Sequence, residues 1–247
     1  MTQRAAIVTG TSGGIGLSIG RKLMENGWFV VGVNRSESAK NSCNRLIRYD
    51  LSRCDDEDSF KQNCIEPILD ALQGIPLGAI VNNSATQRLA GLDAIKRTDW
   101  AESLAVNLTA PMLLSQAFVN QMRQSGGVVL NIGSVHARAT KREFVTYATT
   151  KAALHGLTRA MAVDLGPEIR VICLAPAAIA TPMLKAGFEG KEDAFSALEN
   201  CHALGRIGSP EEVADAAMFL MSEKASFFSG ATVYLDGGVL SKLHDPA

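Results

Sequence analysis

The sequence predicts an α/β protein: one domain built on a doubly wound parallel sheet, with helices on both faces. Seven short apolar runs alternate with longer stretches of helical periodicity from one end of the chain to the other, the pattern of βαβ units. Most of those runs are apolar throughout rather than alternating, as strands buried on both faces are. No repeat, charge block or Pro/Ser-rich linker divides the 247 residues, a length within reach of one large domain.

Taken in order, Ile7-Val8 is the first strand. A glycine-rich turn follows, then Ile15, Ile19 and Leu23 at intervals of four, one face of an amphipathic helix. Trp28 to Val33 is apolar except for Gly32 and reads as the second strand, and Leu46-Ile47 as the third. Phe60, Cys64, Ile68 and Leu72 then repeat at intervals of four, although Pro67 argues against one straight helix. Ala79–Val81, Val128–Ile132, Val171–Leu174 and Thr232–Leu235 supply four more strands. Ser209-Pro210-Glu211-Glu212 starts a helix: serine caps, proline fits the first turn and Glu212 completes a capping box. The stretch 181–207 reads as the largest irregular segment, a substrate-side loop or lid carrying Phe188 and Phe195.

Composition narrows the function. Lys plus Arg total 24 and Asp plus Glu total 25, a net charge of -1, so no electrostatic footprint for nucleic acid or an anionic membrane is expected. Apolar residues at 47% and charged residues at 20% exclude disorder. No apolar run approaches the ~18 residues of a membrane span. Met1-Thr2-Gln3-Arg4 leads straight into Ala5-Ala6-Ile7-Val8 without a signal-peptide pattern. The five cysteines form no C-x-x-C pair, so a reducing, cytoplasmic location is expected rather than a disulfide framework. The four histidines (136, 155, 202, 244) and the cysteines show no metal-ligand spacing, so no metal is expected.

Thr9-Gly10-Thr11-Ser12-Gly13-Gly14-Ile15-Gly16 lies between the first strand and the first helix. Glycines let a backbone approach a ligand closely, and the amides of the helix start favour an anion. After a strand and before a helix this is a dinucleotide-binding signal, although G-x-x-x-G-x-G differs from the G-x-G-x-x-G fingerprint. It is not a P-loop, because no Lys-Ser/Thr pair follows the last glycine. Farther along, Tyr147 and Lys151 are four residues apart and share a helix face. An ammonium there would favour the phenolate and bring a phenol toward acid–base work. Ser134 ends the Val128–Ile132 strand, where α/β sheets present residues to ligands. Alone, the Tyr–Lys spacing is that of an ordinary surface pair.

In combination with Asn82-Asn83, Asn107 and Asp236-Gly237-Gly238, these residues fall in the order and spacing of one family. The chain resembles the single-domain short-chain dehydrogenases/reductases from Ile7 to Gly238, and Gly205 to Ala214 resembles that family's C-terminal segment. The resemblance implies a seven-stranded Rossmann-like sheet, a nicotinamide cofactor, and hydride transfer to or from a small-molecule carbonyl or alcohol. It makes Tyr147 the general acid–base and gives Lys151 the lowering of its pKa and the nicotinamide ribose. Ser134 then binds the substrate oxygen, and Asn107 holds a water linking Lys151 to solvent. Gly10, Ser12, Gly14, Ile15, Gly16, Asn34, Arg35, Asp50, Leu51, Asn83, Ala85, Tyr147, Lys151, Pro176, Ile179 and Thr181 become the expected cofactor contacts. Ser84-Ala85 and Pro176-Ala177 stand where the family has Ala-Gly and Pro-Gly, changes that bear on cofactor affinity and not on reaction class. Asp50 is either an adenine neighbour or a strand-ending turn residue.

Asn34, 18 residues past Gly16, carries no charge, where NAD-specific dinucleotide folds place an acid. Arg35 follows at once, with a guanidinium suited to a phosphate. NADP(H) is therefore the expected cofactor, with NAD(H) as the alternative should Arg35 be only solvated. His136, Met183, Leu184 and Phe188 are candidates for the substrate pocket. The family also implies a homo-oligomer, most commonly a tetramer. Competing readings are an NAD(H)-preferring sugar, polyol or hydroxy-compound dehydrogenase and a non-catalytic nucleotide sensor. A methyltransferase is disfavoured by the turn and the Tyr–Lys pair.

Overall fold

A computed structural model describes residues 3–37 and 41–243; Met1, Thr2 and His244 lie outside these, as does the side chain of Met183. Seven strands form one sheet: β1 (Ala5–Thr9), β2 (Phe29–Asn34), β3 (Arg45–Arg48), β4 (Leu77–Asn82), β5 (Val128–Ile132), β6 (Arg170–Pro176) and β7 (Thr232–Leu235). Their order is β3-β2-β1-β4-β5-β6-β7, and every pair is parallel. This is the doubly wound, Rossmann-like sheet that the sequence predicts.

Alternate residues along each strand feed opposite faces. Ala5 and Ile7 of β1 join one core with Phe60, Ile68, Leu114 and Phe118. Ala6 and Val8 join the other with Ile19, Leu23, Val213 and Leu220. The first face is covered by α2 (Glu57–Phe60), α3 (Glu66–Leu72), α4 (Arg97–Leu104), α5 (Ala110–Ala117), α6 (Val119–Ser125) and α7 (Val145–Leu165). The second is covered by α1 (Gly14–Glu25) and α10 (Pro210–Met221), which pack on each other. A π-helical turn, Lys61–Ile65, separates α2 from α3, and Pro67 opens α3. The missing proline amide is thus accommodated where the helix changes its hydrogen-bond spacing. Ser209 caps α10 in the expected capping box: its hydroxyl accepts from Glu212 N, and Glu212 accepts from Ser209 N.

One expectation is corrected. The stretch 181–207 is not irregular: it holds α8 (Pro182–Gly187) and α9 (Glu192–Cys201). Thr181 caps α8 by accepting from Leu184 N at 3.2 Å. Neither helix buries much of itself, and α9 has no buried residue, although Phe195, Leu198 and Cys201 recur along it at helical spacing.

The chain winds outward from β1 through β2 to β3, then returns to β4 on the other side of β1. A crevice opens at the carboxyl ends of the strands where the order reverses. No helix among the described residues is long and apolar enough to cross a membrane.

Candidate active site

That crevice is a cleft of about 1360 Å³. Its floor is the glycine turn. Gly10 and Gly14 have φ of 76° and 52°, the left-handed region that favours glycine. A methyl group on Gly10 would lie 2.8 Å from Asn83 Nδ2, and one on Gly14 would lie 2.9 Å from Thr181 Cγ2. Gly16 does not line the cleft; a methyl group there would collide with the Gly10 carbonyl oxygen, so it lets α1 close on the turn. Asn83 clamps the same turn, donating from Nδ2 to Thr9 O (2.9 Å) and Gly10 O (3.3 Å). Gly13 precedes α1 without a side-chain cap, leaving first-turn amides for an anion. Ser12, Ile15 and Ala85 line the cleft beside them.

At the end of β2, Asn34 is buried and donates from Nδ2 to Thr11 Oγ1 at 2.8 Å. Its Oδ1 is buried with no partner among the described residues. A hydroxyl such as Thr11 can accept or donate, so the amide can present either edge to a ligand. Arg35 is exposed at the cleft mouth and also borders a smaller concavity of about 460 Å³ with Arg48 and Arg53. Asp50 lines the cleft with Leu51 and is the strand-ending turn residue, accepting from Ser52 N at 3.0 Å to cap the 3₁₀ turn Leu51–Arg53.

The acid–base groups meet between β5 and α7. Ser134 is buried one residue past the strand's following glycine, and its Oγ accepts from His136 N at 3.2 Å. Burial pushes the pKa of the half-buried Tyr147 phenol up, and the Ser134 hydroxyl beside it pulls the other way with a smaller effect. Lys151, one turn along α7, is buried and donates to Ile132 O at 2.6 Å. Burial lowers its pKa to about 8. The Lys151 ammonium, held by the strand carbonyl, lies 5.7 Å from the centre of the Tyr147 ring; in this arrangement burial dominates the Tyr147 pKa.

Asn107 stands on a π-helical turn, Ala105–Thr109, between α4 and α5. Its amide pairs with both backbone groups of Thr86, accepting from N at 2.8 Å and donating to O at 3.0 Å, and donates to Thr150 Oγ1 at 3.0 Å. The side chain thus ties the segment after β4 to the helix that carries Tyr147 and Lys151. It does not itself line the cleft.

His136 stacks on Phe144 at 4.4 Å and meets Tyr147 edge-on at 5.9 Å. Burial, and then the Lys141 charge, push its pKa down to about 4, so the ring is neutral at pH 7. Pro176, Ile179 and Thr181 also line the cleft, as do Leu184 of α8 and Phe188 just past its end. Sequence reasoning missed Thr86, Thr150, the Ile132 carbonyl and the wall residues Leu198, His202, Val239 and Leu240. Thr150 adjoins a residue already singled out, and a backbone carbonyl leaves no sequence signal at all.

A family model described as Enoyl-(Acyl carrier protein) reductase matches residues 10–240. The chain is similar to L-xylulose reductase of Bos taurus, 34% identical over 96% of this chain and 97% of that protein. It is also similar to human dehydrogenase/reductase SDR family member 4, 30% identical over 98% of this chain and 90% of that protein. Among solved structures, ligand-free aldohexose dehydrogenase of Thermoplasma acidophilum superposes with a TM-score of 0.91 at 27% identity, covering 99% of this chain and 97% of that one. Acetoin dehydrogenase of Salmonella typhimurium does so with a TM-score of 0.85 at 28% identity, covering 100% and 99%.

Proposed function

Because the chain belongs to the short-chain dehydrogenase/reductase family, whose members are NAD(P)-dependent oxidoreductases, we propose that it interconverts a carbonyl and a secondary alcohol through Ser134, Tyr147, Lys151 and Asn107, with NADP(H) preferred. The observation that carries the reading is the meeting of Ser134, Tyr147 and Lys151 in the cleft floored by the glycine turn. That cleft fits a dinucleotide: Gly10 and Gly14 hold a backbone conformation that gives close approach, and Asn34 Oδ1 is a buried acceptor awaiting a donor.

When bound, a nicotinamide cofactor supplies or accepts the hydride. Tyr147 gives its phenolic proton to the substrate oxygen in reduction and takes one back in oxidation. Ser134 donates a hydrogen bond to the same oxygen, where charge develops. Lys151 binds the nicotinamide ribose hydroxyls, and Asn107 holds its helix in register and carries the family's water-holding role. Arg35, with Arg48 and Arg53 beside it, supports the 2′-phosphate of NADP(H). A second reading, preference for NAD(H), is favoured by Asn34 Oδ1, which a ribose hydroxyl would satisfy.

The substrate is a small molecule, and cytoplasmic residence is the reading of a cysteine pattern without a C-x-x-C pair. Tyr147→Phe is the test. Its kcat is expected to fall 10²–10⁴-fold, the usual cost of a lost acid–base group, with cofactor affinity retained in a fluorescence titration. A variant keeping more than about a tenth of wild-type kcat contradicts the assignment.

A further inference from the structure

We propose that His202 is a specificity-determining residue, whose Nε2 accepts a hydrogen bond from a substrate hydroxyl remote from the reacting carbon. This rests on the oxidoreductase reading and adds a substrate class to it. His202 follows α9 and is buried, yet it belongs to the cleft wall. Its Nδ1 lies 3.0 Å from the Leu198 carbonyl oxygen. A carbonyl can only accept, so Nδ1 carries the proton and Nε2 of the neutral ring is an acceptor. That acceptor is buried and meets no donor among the described residues. Buried polar atoms are nearly always satisfied, so an orphan in a cleft wall marks where a ligand group completes the set.

The ring is held in place. A methyl group on Gly237 would lie 3.4 Å from His202 Cδ2, Gly205 N donates to His202 O at 3.0 Å, and Leu204 N donates to Gly237 O at 3.1 Å. His202 is also the one buried polar side chain among the described residues of 181–207. The cleft lining also carries the apolar Leu184, Phe188, Leu198, Val239 and Leu240. The class that fits is a carbonyl compound with a mainly apolar skeleton and a hydroxyl set away from the reacting carbon.

The test uses a homologous series of ω-hydroxy methyl ketones, each compared with its parent methyl ketone, on the wild type, His202→Phe and His202→Gln. In the wild type the hydroxyl is expected to raise kcat/KM about tenfold at one chain length, through KM rather than kcat, equivalent to about 1.4 kcal/mol. His202→Phe should bring that ratio to about one, and His202→Gln, which keeps an acceptor, should restore part of it. A ¹⁵N spectrum should show the His202 Nε2 resonance moving when the hydroxy ketone, but not the parent, joins the cofactor-loaded protein. A packing role would lower both rates and leave the ratio intact in His202→Phe; that result overturns the proposal, as does a wild-type ratio of one at every length. If the wild type turns over no ketone with either cofactor, the oxidoreductase reading itself falls. Turnover of the parents alone leaves that reading standing and removes only this one.

Discussion

The Lys151 ammonium sits in the core with the Ile132 carbonyl at 2.6 Å, and burial brings its pKa from 10.5 to about 8. Below about pH 8 both folded and unfolded chains hold the proton, so the cost of burying the charge, on the order of 3 kcal/mol, is present in full. Between about pH 8 and 10.5 the unfolded chain keeps a proton that the folded chain has released, so wild-type stability rises with pH there. Lys151→Met is therefore expected to lose turnover yet resist urea better than the wild type at pH 7, with the advantage fading toward pH 10.5. A variant less stable than the wild type at pH 7 contradicts this. Cofactor choice is also decided by single side chains. Arg35→Ala should lose the NADP(H) preference by about ten- to a hundredfold, the equivalent of roughly 1.5–3 kcal/mol for a charged hydrogen bond, and Asn34→Asp should reverse it. Comparison of kcat/KM with both cofactors decides; a wild type favouring NAD(H) contradicts it. Ser134, Tyr147 and Lys151 were legible because their chemistry lies in side chains at family spacing. Lys151's partner was not, being a main-chain oxygen, and neither was the orphaned Nε2 of His202, which exists only once Leu198 O engages Nδ1.

Among the elements, the strands were legible because β4, β5 and β6 are buried on both faces and carry apolar residues almost without interruption. The helices α8 and α9 were missed: α8 is only six residues long, and the apolar face of α9 is a short one, Phe195, Leu198 and Cys201. A signal was nonetheless present: Thr181-Pro182 opens α8 by the same cap-then-proline device as Ser209-Pro210 at α10. With so little burial, α8 and α9 belong to the low-stability end of the fold. Phe188 and Phe195 touch each other across them, ring centres 5.6 Å apart. Hydrogen exchange over 181–207 is expected to slow when NADP and substrate bind together, as for a lid closing on its ligands. Equal protection with and without ligands contradicts the lid.

For the whole molecule, apolar residues left on the surface bear on association. Phe227 is fully exposed, and Phe219 and Phe228 lie beside it, near the open edge of β7. Trp100 of α4, Met112 of α5 and Val163 of α7 are exposed on another flank. Two separate apolar flanks suit a tetramer with two kinds of contact. Light scattering at micromolar concentration is expected to give a tetrameric mass; a monomeric mass contradicts it. The turn Asp236–Gly238 carries a consequence for the order of folding. It holds Leu204 through the Gly237 carbonyl, Gly238 packs on Ala203, and Lys242 reaches the Asn200 carbonyl. The substrate-side wall is therefore fastened by a contact that spans 42 positions of the chain, whereas the glycine turn joins a strand and a helix that adjoin it in sequence. Closing so long a loop costs more entropy than a local turn, so the nucleotide half is expected to take shape before the substrate wall is held shut.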